Sequence, residues 1–133
     1  MYSHVEIGRS APLHCTAVGK AIMAYLPLEK IDSIIMEKGL KKFTSSTIIN
    51  RDELLMELEK IQKQGYAIDN MEHEEGVRCL AAPICNHRRE INASLSISGP
   101  AFRIDKEDIT HIAKKIKEYC SLISKEIGYK NLS

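Results

Sequence analysis

Residues 66–100 read YAIDNMEHEEGVRCLAAPICNHRREINASLSISGP. They contain an acidic turn, Asp69 to Gly76, followed by two apolar runs, Val77 to Cys85 and Glu90 to Ser98. The polar tetrapeptide Asn86 to Arg89 joins the two runs. Two runs rich in β-forming residues with a short polar linker are typical of a β-hairpin. The sequence therefore predicts that a hairpin forms the centre of the fold.

A symmetric closure of the four-residue linker determines which side chains face each other. Side chains alternate between the two faces of a strand, and cross-strand neighbours share a face. One face then carries apolar pairs: Ile84 with Ile91, Ala82 with Ala93, and Leu80 with Leu95. The other face carries small residues: Cys79 with Ser96, Ala81 with Ser94, and Ser98 one diagonal step away.

The small-residue face has two interpretations. Asn92, Ser94, Ser96 and Ser98 could form the solvent side of an antiparallel sheet. Solvated faces usually carry longer polar side chains, however, and serines opposite a cysteine and an alanine leave a concave surface lined by hydroxyl groups. Such a surface suits a small polar ligand. We therefore interpret this face as one wall of a pocket.

The composition restricts the class of protein. A chain of 133 residues suits one domain. Its 19 Lys and Arg and 18 Asp and Glu residues are interspersed, so no basic stripe for nucleic acid is visible. Four irregularly spaced cysteines predict reduced thiols rather than a disulfide framework. The N-terminus has no signal-peptide pattern, and no apolar run reaches membrane-spanning length, so a cytoplasmic protein without membrane contact is expected.

Capping residues and apolar spacing predict four helices, preceded by a short strand at Ser3 to Ile7. The expected helices run from Thr16 to Leu26 before Pro27, from Leu28 to Lys38 before Gly39, from Asn50 to Gln64 before Gly65, and from Asp105 to Ile127 before Gly128. Asn50 with Glu53 three residues later has the pattern of a capping box. Hairpin-connected strands among helices predict an α+β fold with an antiparallel sheet.

The first predicted helix begins within Cys15 to Gly19. Backbone N–H groups at a helix start, together with the helix dipole, can bind a carboxylate or a phosphate. Every helix has such an end, however, and Gly19 is equally compatible with plain close packing. An anion site and an ordinary helix start therefore both remain open.

The acidic turn contains Asp69, Glu72, His73, Glu74 and Glu75. A solvated acidic loop is one interpretation, and an inward-facing Asp69 that accepts hydrogen bonds from ligand hydroxyl groups is another. Asp69, His73 and Cys79 also have donor atoms suited to zinc, although their spacing matches no standard zinc pattern.

Cys79 lies near His73 in the sequence, which raises the possibility of a thiol nucleophile with a base. A cysteine in the middle of a strand is more often a small buried residue. Three function classes thus follow from these residues: a ligand-binding domain, a zinc module and a thiol enzyme.

The chain resembles the C-terminal effector-binding domain of the IclR family of bacterial transcriptional regulators. The resemblance is carried by four blocks that together span most of the chain: RSAPLHCTAVGKA at 9–21, GYAIDN at 65–70, EHEEGVRCLAAPI at 72–84 and SLSISGP at 94–100. Their order and spacing both fit the family, so the combined match is specific.

The resemblance implies a GAF-like domain, with helices packed on a curved antiparallel sheet and a pocket for a small organic acid. It also implies the roles of individual residues: the ligand carboxylate on the backbone of Ala17 and Val18 beside Thr16, and the remaining wall from Asp69, Cys79, Ser96 and Ser98. Tyr2-Ser3-His4 is similar to the sugar-acid branch, which includes regulators that respond to 2-keto-3-deoxygluconate. No cofactor and no enzymatic activity are implied.

Two family features have no counterpart in this sequence. Family members carry an N-terminal winged helix-turn-helix that binds DNA, and their ligand domain begins with strands upstream of the Gly8-Arg9 motif. We therefore expect residues 1–133 to be the effector-binding domain of a longer repressor-type regulator. The resemblance further implies a homodimer or homotetramer, and an uncovered sheet edge would favour pairing with another chain.

Overall fold

The computed structural model describes residues 12–85 and 91–126 of the chain. The strand predicted at Ser3 to Ile7, the hairpin linker Asn86 to Arg89 and the helix terminator Gly128 lie outside the described residues. Four α-helices, three strands and one short 3-10 helix are described. They are α1 (Ala17–Met23), α2 (Leu28–Lys38), α3 (Arg51–Gln64), β1 (Ala67–Asn70), β2 (Val77–Cys85), β3 (Ile91–Pro100), the 3-10 helix Ala101–Arg103, and α4 (Lys106–Glu126).

The predicted capping residues Thr16, Gly39, Asn50 and Gly65 are confirmed, whereas α1 ends at Met23, three residues before the predicted end at Leu26. The side chain of Thr16 accepts a hydrogen bond from the N–H of Gly19 at 3.0 Å, and that of Asn50 accepts one from Glu53 at 3.1 Å. Each bond satisfies a backbone donor that has no partner within the helix. Gly65 ends α3 in the left-handed conformation, with φ at 84°, which a residue without a Cβ adopts at little cost.

The three strands form an antiparallel sheet in the order β1-β2-β3. The predicted hairpin is confirmed, but its register is wrong by two residues. Facing positions in β2 and β3 sum to 177 rather than 175, so Cys79 faces Ser98, Leu80 faces Ile97, Ala81 faces Ser96, Ala82 faces Leu95, Pro83 faces Ser94 and Ile84 faces Ala93. The difference of two residues arises at the hairpin end. The ladder closes on Cys85 and Ile91, which accounts for one residue, and a register shift between Ile84 and Cys85 accounts for the other.

A shift of two residues leaves every side chain on its predicted face, because the side-chain period of a strand is two. Leu80, Ala82 and Ile84 accordingly pack against Ile116 and Cys120 of α4. The opposite face is covered by α1 and α3, where Ala67 and Ala81 are buried together with Ala17, Ala21, Leu54, Leu58 and Ile61. The molecule is therefore an α+β structure in three layers, with the sheet between α4 and the pair α1 and α3.

Within the described part of the chain, no helix is both long and apolar enough to cross a lipid bilayer.

Candidate functional site

Three of the predicted site residues form one row across the sheet. Asp69 in β1 faces Cys79 in β2, and Cys79 faces Ser98 in β3. Facing residues in an antiparallel ladder have their Cβ atoms about 4.5–5.5 Å apart, so the three side chains are immediate neighbours. The Ser98 side chain, which faces the Cys79 thiol, acts to lower the pKa of that thiol. The row thus places a carboxylate, a thiol and a hydroxyl group side by side.

Ser96 belongs to the next row, where it faces Ala81, which in turn faces Ala67. Ala67 and Ala81 are fully buried, and α1 contacts both β2 and β3. The face carrying Ser96 and Ser98 is therefore covered by a helix, and the interpretation of this face as the solvent side of the sheet is wrong. The oxygen of Ser94, one row further along, is buried and has no hydrogen-bond partner among the described atoms.

The start of α1 lies over this face. Ala17 is buried in the same cluster as Ala67 and Ala81. Thr16 is held on both sides, because its hydroxyl group donates to the carbonyl oxygen of Pro12 at 2.7 Å and accepts from the N–H of Gly19. A Cβ at Gly19 would lie 2.5 Å from the Cα of Leu13, so the glycine is required by close packing of the helix start on the preceding loop.

A groove in the structure takes in only part of the predicted site. Thr16 and Val18 border a groove of about 530 Å³ that extends away from the sheet, towards α2 and the loop after it. Asp69, Cys79, Ser96 and Ser98 do not line this groove. Its other members are mainly apolar and include Leu13, Met23, Ile34, Ile35, Leu40 and Phe43, with Lys38 and Lys41. Val18 is correspondingly 37 % exposed, whereas Ala17 faces the interior.

A buried charge cluster beside the site was missed by sequence reasoning. Lys20 of α1 is 0 % exposed, and its ammonium group donates to Glu72, to Glu57 of α3 and to the carbonyl oxygen of Ile68. A lysine in the middle of a predicted helix gives no sign of burial. The available signal was its place on the same helical face as Ala17 and Ala24, three and four residues away.

The acidic turn is only partly solvated, contrary to the simplest expectation. Glu74 and Glu75 are exposed, whereas Asp69 and Glu72 are buried, and Asp69 already belongs to β1. The loop after α2 holds the turn, since the hydroxyl group of Thr47 donates to the Glu72 carbonyl oxygen at 2.5 Å and that of Thr44 donates to the Met71 carbonyl oxygen at 2.6 Å. This burial places the Asp69 carboxylate inside the molecule, as a ligand-facing role requires.

Burial changes the acidity of these groups. It is the main cause that raises the pKa of Asp69 and that of Glu72 above their ordinary values, while Lys20 acts in the opposite direction. Burial, followed by the charge of Asp69, raises the pKa of Cys79 to about 11. A catalytic thiol needs a lowered pKa. Cys79 is therefore suited to lining a site and unsuited to nucleophilic attack at neutral pH.

The zinc alternative finds no support in the geometry. Over residues 12–85 and 91–126, no three His, Cys, Asp or Glu side chains are grouped so that they could hold a metal ion. The ring of His73 instead packs edge-on against Phe43, with 5.0 Å between the ring centroids. His73 is thus a packing residue of the turn, and it does not join Asp69 and Cys79 in a metal site.

Comparison with known proteins gives a consistent result. A protein-family model described as "Bacterial transcriptional regulator IclR C-terminal" matches residues 1–125. The HTH-type transcriptional regulator KdgR of Dickeya chrysanthemi is 37% identical over 129 residues, which are 97% of this chain and 42% of that protein. The chain spans about half the length of the curated relatives that it matches.

Two solved structures show the same architecture. The C-terminal domain of the Escherichia coli transcriptional regulator KdgR superposes with a TM-score of 0.86 at 35% identity, over 92% of this chain and 75% of that one. The inducer-binding domain of PobR from Acinetobacter, a double mutant solved with 3-hydroxybenzoic acid, superposes with a TM-score of 0.83 at 25% identity, over 90% of this chain and 69% of that one.

Proposed function

The chain belongs to the IclR family of bacterial transcriptional regulators, and we propose that its effector is a small organic acid, either a keto acid or a sugar acid. Within that family it is an effector-binding domain of the GAF-like α+β fold and not an enzyme. The observation that carries this proposal is the row of Asp69, Cys79 and Ser98 beneath the start of α1. Small polar groups that converge on a helix-covered sheet face are suited to a small polar ligand.

The carboxylate of the effector binds at the helix start in this proposal. The first N–H groups of a helix have no acceptors within it, and Thr16 satisfies that of Gly19. The N–H groups of Ala17 and Val18 remain as donors to a carboxylate, with the positive end of the helix dipole behind them. Thr16 contributes by holding this backbone in place, because its hydroxyl group is already bonded to Pro12 and Gly19.

The rest of the effector lies along the sheet. Ser96 and Ser98 can donate to or accept from hydroxyl and keto groups, and Asp69 accepts from ligand hydroxyl groups. Cys79 supplies a small apolar contact between Asp69 and Ser98. This division of roles favours a ligand with one carboxylate and several hydroxyl or keto oxygens.

Two comparisons support this ligand class. The relatives named KdgR are 36% and 37% identical to this chain, which favours the sugar-acid branch of the family. The PobR inducer-binding domain, of the same fold, is solved with 3-hydroxybenzoic acid, which is a carboxylic acid. A domain with this architecture therefore accommodates a ligand carboxylate.

In the intact regulator, we expect residues 1–133 to act as the effector domain beside a winged helix-turn-helix that binds the operator. Effector binding alters operator affinity only if the acid binds two arrangements of the regulator with different affinity. A homodimer or homotetramer provides such arrangements, through movements of whole subunits against one another.

A thermal-shift screen of keto acids and sugar acids, including pyruvate and 2-keto-3-deoxygluconate, tests the proposal. At least one acid is expected to raise the melting temperature of the wild-type domain, and Ser96→Ala and Asp69→Ala are expected to reduce that increase. Ser45→Ala serves as a control, because Ser45 is exposed and lies on the loop after α2. If the domain is shown to be folded and none of the acids raises its melting temperature, the proposed pocket is contradicted.

A further inference from the structure

Lys20 is an unusual residue for the interior of a small domain. It is fully buried in α1, and its Nζ lies 2.8 Å from Glu57 Oε2, 2.6 Å from the Ile68 carbonyl oxygen and 2.9 Å from both carboxylate oxygens of Glu72. An ammonium group has three protons to donate. Its three partners therefore satisfy it completely, and they fix its position from three directions.

A buried ion pair of this kind is weak evidence for a gain in stability. The desolvation of two charges can exceed their attraction, and an apolar replacement of similar volume is often as stable. Well-packed apolar side chains would join α1 to the sheet equally well, as Ala17 and Ala21 already do. The location of the pair is therefore more informative than its energy.

The acceptors of Lys20 lie on both sides of Asp69 in the sequence. Ile68 precedes Asp69, and Glu72 follows it by three residues. Glu72 is in turn bonded to the same segment twice, since its carboxylate accepts from the N–H of Asn70 at 3.1 Å and its own N–H donates to Asp69 Oδ1 at 2.8 Å. The Asp69 side chain is thus held by a residue that Lys20 itself holds.

Lys20 is also close in sequence to the start of α1, which is the other half of the candidate site. It follows Val18 by two residues in α1, and its N–H donates to the Thr16 carbonyl oxygen at 2.9 Å. One residue consequently contacts the helix start through its backbone and the Asp69 segment through its ammonium group. The charge cluster is the polar link between the helix start and the Asp69 segment.

We propose that Lys20 is a positioning residue of the effector site, which holds the Asp69 segment at a fixed distance from the start of α1 through Glu72 and the Ile68 carbonyl oxygen. Lys20 does not contact the effector in this proposal. Its effect on affinity passes through Asp69, and the inference rests on the proposed function for its consequence in binding.

Amide hydrogen exchange tests the positioning without any ligand. Lys20→Met removes the ammonium group and keeps the length of the side chain, and Glu72→Gln serves if the first variant does not fold. The Asn70 and Glu72 amides are expected to exchange about tenfold faster or more than in the wild type, relative to the Leu58 amide in α3. Lys63→Met is the matched control, because Lys63 is an exposed lysine paired with Glu59.

Titration with 2-keto-3-deoxygluconate tests the consequence for binding. Lys20→Met is expected to raise the Kd about tenfold when it is the only substitution. Added to Asp69→Asn, it is expected to raise the Kd no further, because the effects of residues that act as a unit are not additive. A purely structural role would instead speed exchange at all amides together and leave the Kd of the folded fraction unchanged, and that result would overturn the proposal. A wild-type domain that does not bind this acid would count against the ligand class alone, since the exchange measurement still decides the positioning.

Discussion

Cys79 in β2 faces Ser98 across the β2–β3 ladder, with Asp69 on its other side in β1. Burial and the Asp69 charge raise the pKa of Cys79 to about 11, against an ordinary value of 9.0, while the Ser98 side chain acts in the opposite direction. The thiolate is the reactive form of cysteine. The environment that makes Cys79 a suitable wall residue therefore also protects it from alkylation.

Cys79 is accordingly expected to react slowly with iodoacetamide in the folded domain. A pKa about two units above normal lowers the thiolate fraction at pH 8 about a hundredfold, and burial slows access further. Mass spectrometry that resolves each cysteine would measure the rate, with the urea-unfolded chain as the reference. Asp69→Asn should speed the reaction, because it removes a negative charge that disfavours the thiolate. Equal rates for Cys79 in the folded and unfolded chains would contradict the described burial.

The pH dependence of stability offers a second check, through Asp69. Burial raises its pKa above the ordinary value of 3.8, so the folded state holds the proton more tightly than the unfolded state does. The contribution of such a group to the free energy of unfolding is fully present below the unfolded pKa and is lost as the pH rises through the folded pKa. Asp69→Asn has no such group.

Wild-type protein is therefore expected to gain stability relative to Asp69→Asn when the pH falls from 7 towards 4. Urea unfolding of both proteins at several pH values in this range would give the difference. Glu72 has a raised pKa for the same reason, so Glu72→Gln should show the same sign. A difference that grows as the pH rises would show that attraction to Lys20, rather than burial, dominates at these carboxylates.

Gly19 provides a prediction about the helix start. Alanine there would bring a Cβ to 2.5 Å from the Cα and 2.6 Å from the carbonyl oxygen of Leu13, and backbone atoms cannot move aside as a flexible side chain can. Gly19→Ala should destabilise the domain by about 1–3 kcal/mol, the usual cost of overpacking. Thermal unfolding would measure it. Gly99→Ala is the matched control, because its Cβ would meet only the end of Ile104 at 3.5 Å; equal melting temperatures for the two variants would contradict the close approach.

The sequence was sufficient to predict features that depend on local chemistry. Caps at Thr16 and Asn50 and the terminators Gly39 and Gly65 are residue preferences of helix ends, and the structure confirms them. The two faces of the hairpin were also predictable, because alternation is independent of the exact register. The register itself was not, since it depends on the geometry of the hairpin end near Cys85 and Ile91.

The candidate site was predictable only in part, for a physical reason. Asp69, Cys79, Ser96 and Ser98 follow from alternation and family resemblance, although no pattern in the sequence distinguishes Glu72 from Glu74. The first is buried beside Lys20 and the second is exposed. Burial of a charge depends on a partner that lies 52 residues away along the chain, and local spacing carries no information about such a partner.

The last prediction concerns Thr47, which is hydrogen-bonded to the turn that carries Glu72. Its hydroxyl group donates to the buried Glu72 carbonyl oxygen at 2.5 Å and accepts from the N–H groups of Phe43 and Thr44 at 3.1 and 2.9 Å. Thr47→Val preserves the shape of the side chain and removes all three of these hydrogen bonds. A buried polar group that loses its partner costs about 1–3 kcal/mol.

Chemical unfolding should therefore place Thr47→Val about 1–3 kcal/mol below the wild type in stability, whereas Thr47→Ser, which keeps the hydroxyl group and loses only a methyl group, should be less affected. Because the Glu72 carbonyl oxygen is bonded to Thr47 while its carboxylate is bonded to Lys20, Thr47→Val should also speed hydrogen exchange at the Glu72 amide. If the valine variant kept the stability of the wild type while the serine variant lost stability, the methyl packing of Thr47, and not its hydrogen bonds, would be what holds the turn in place.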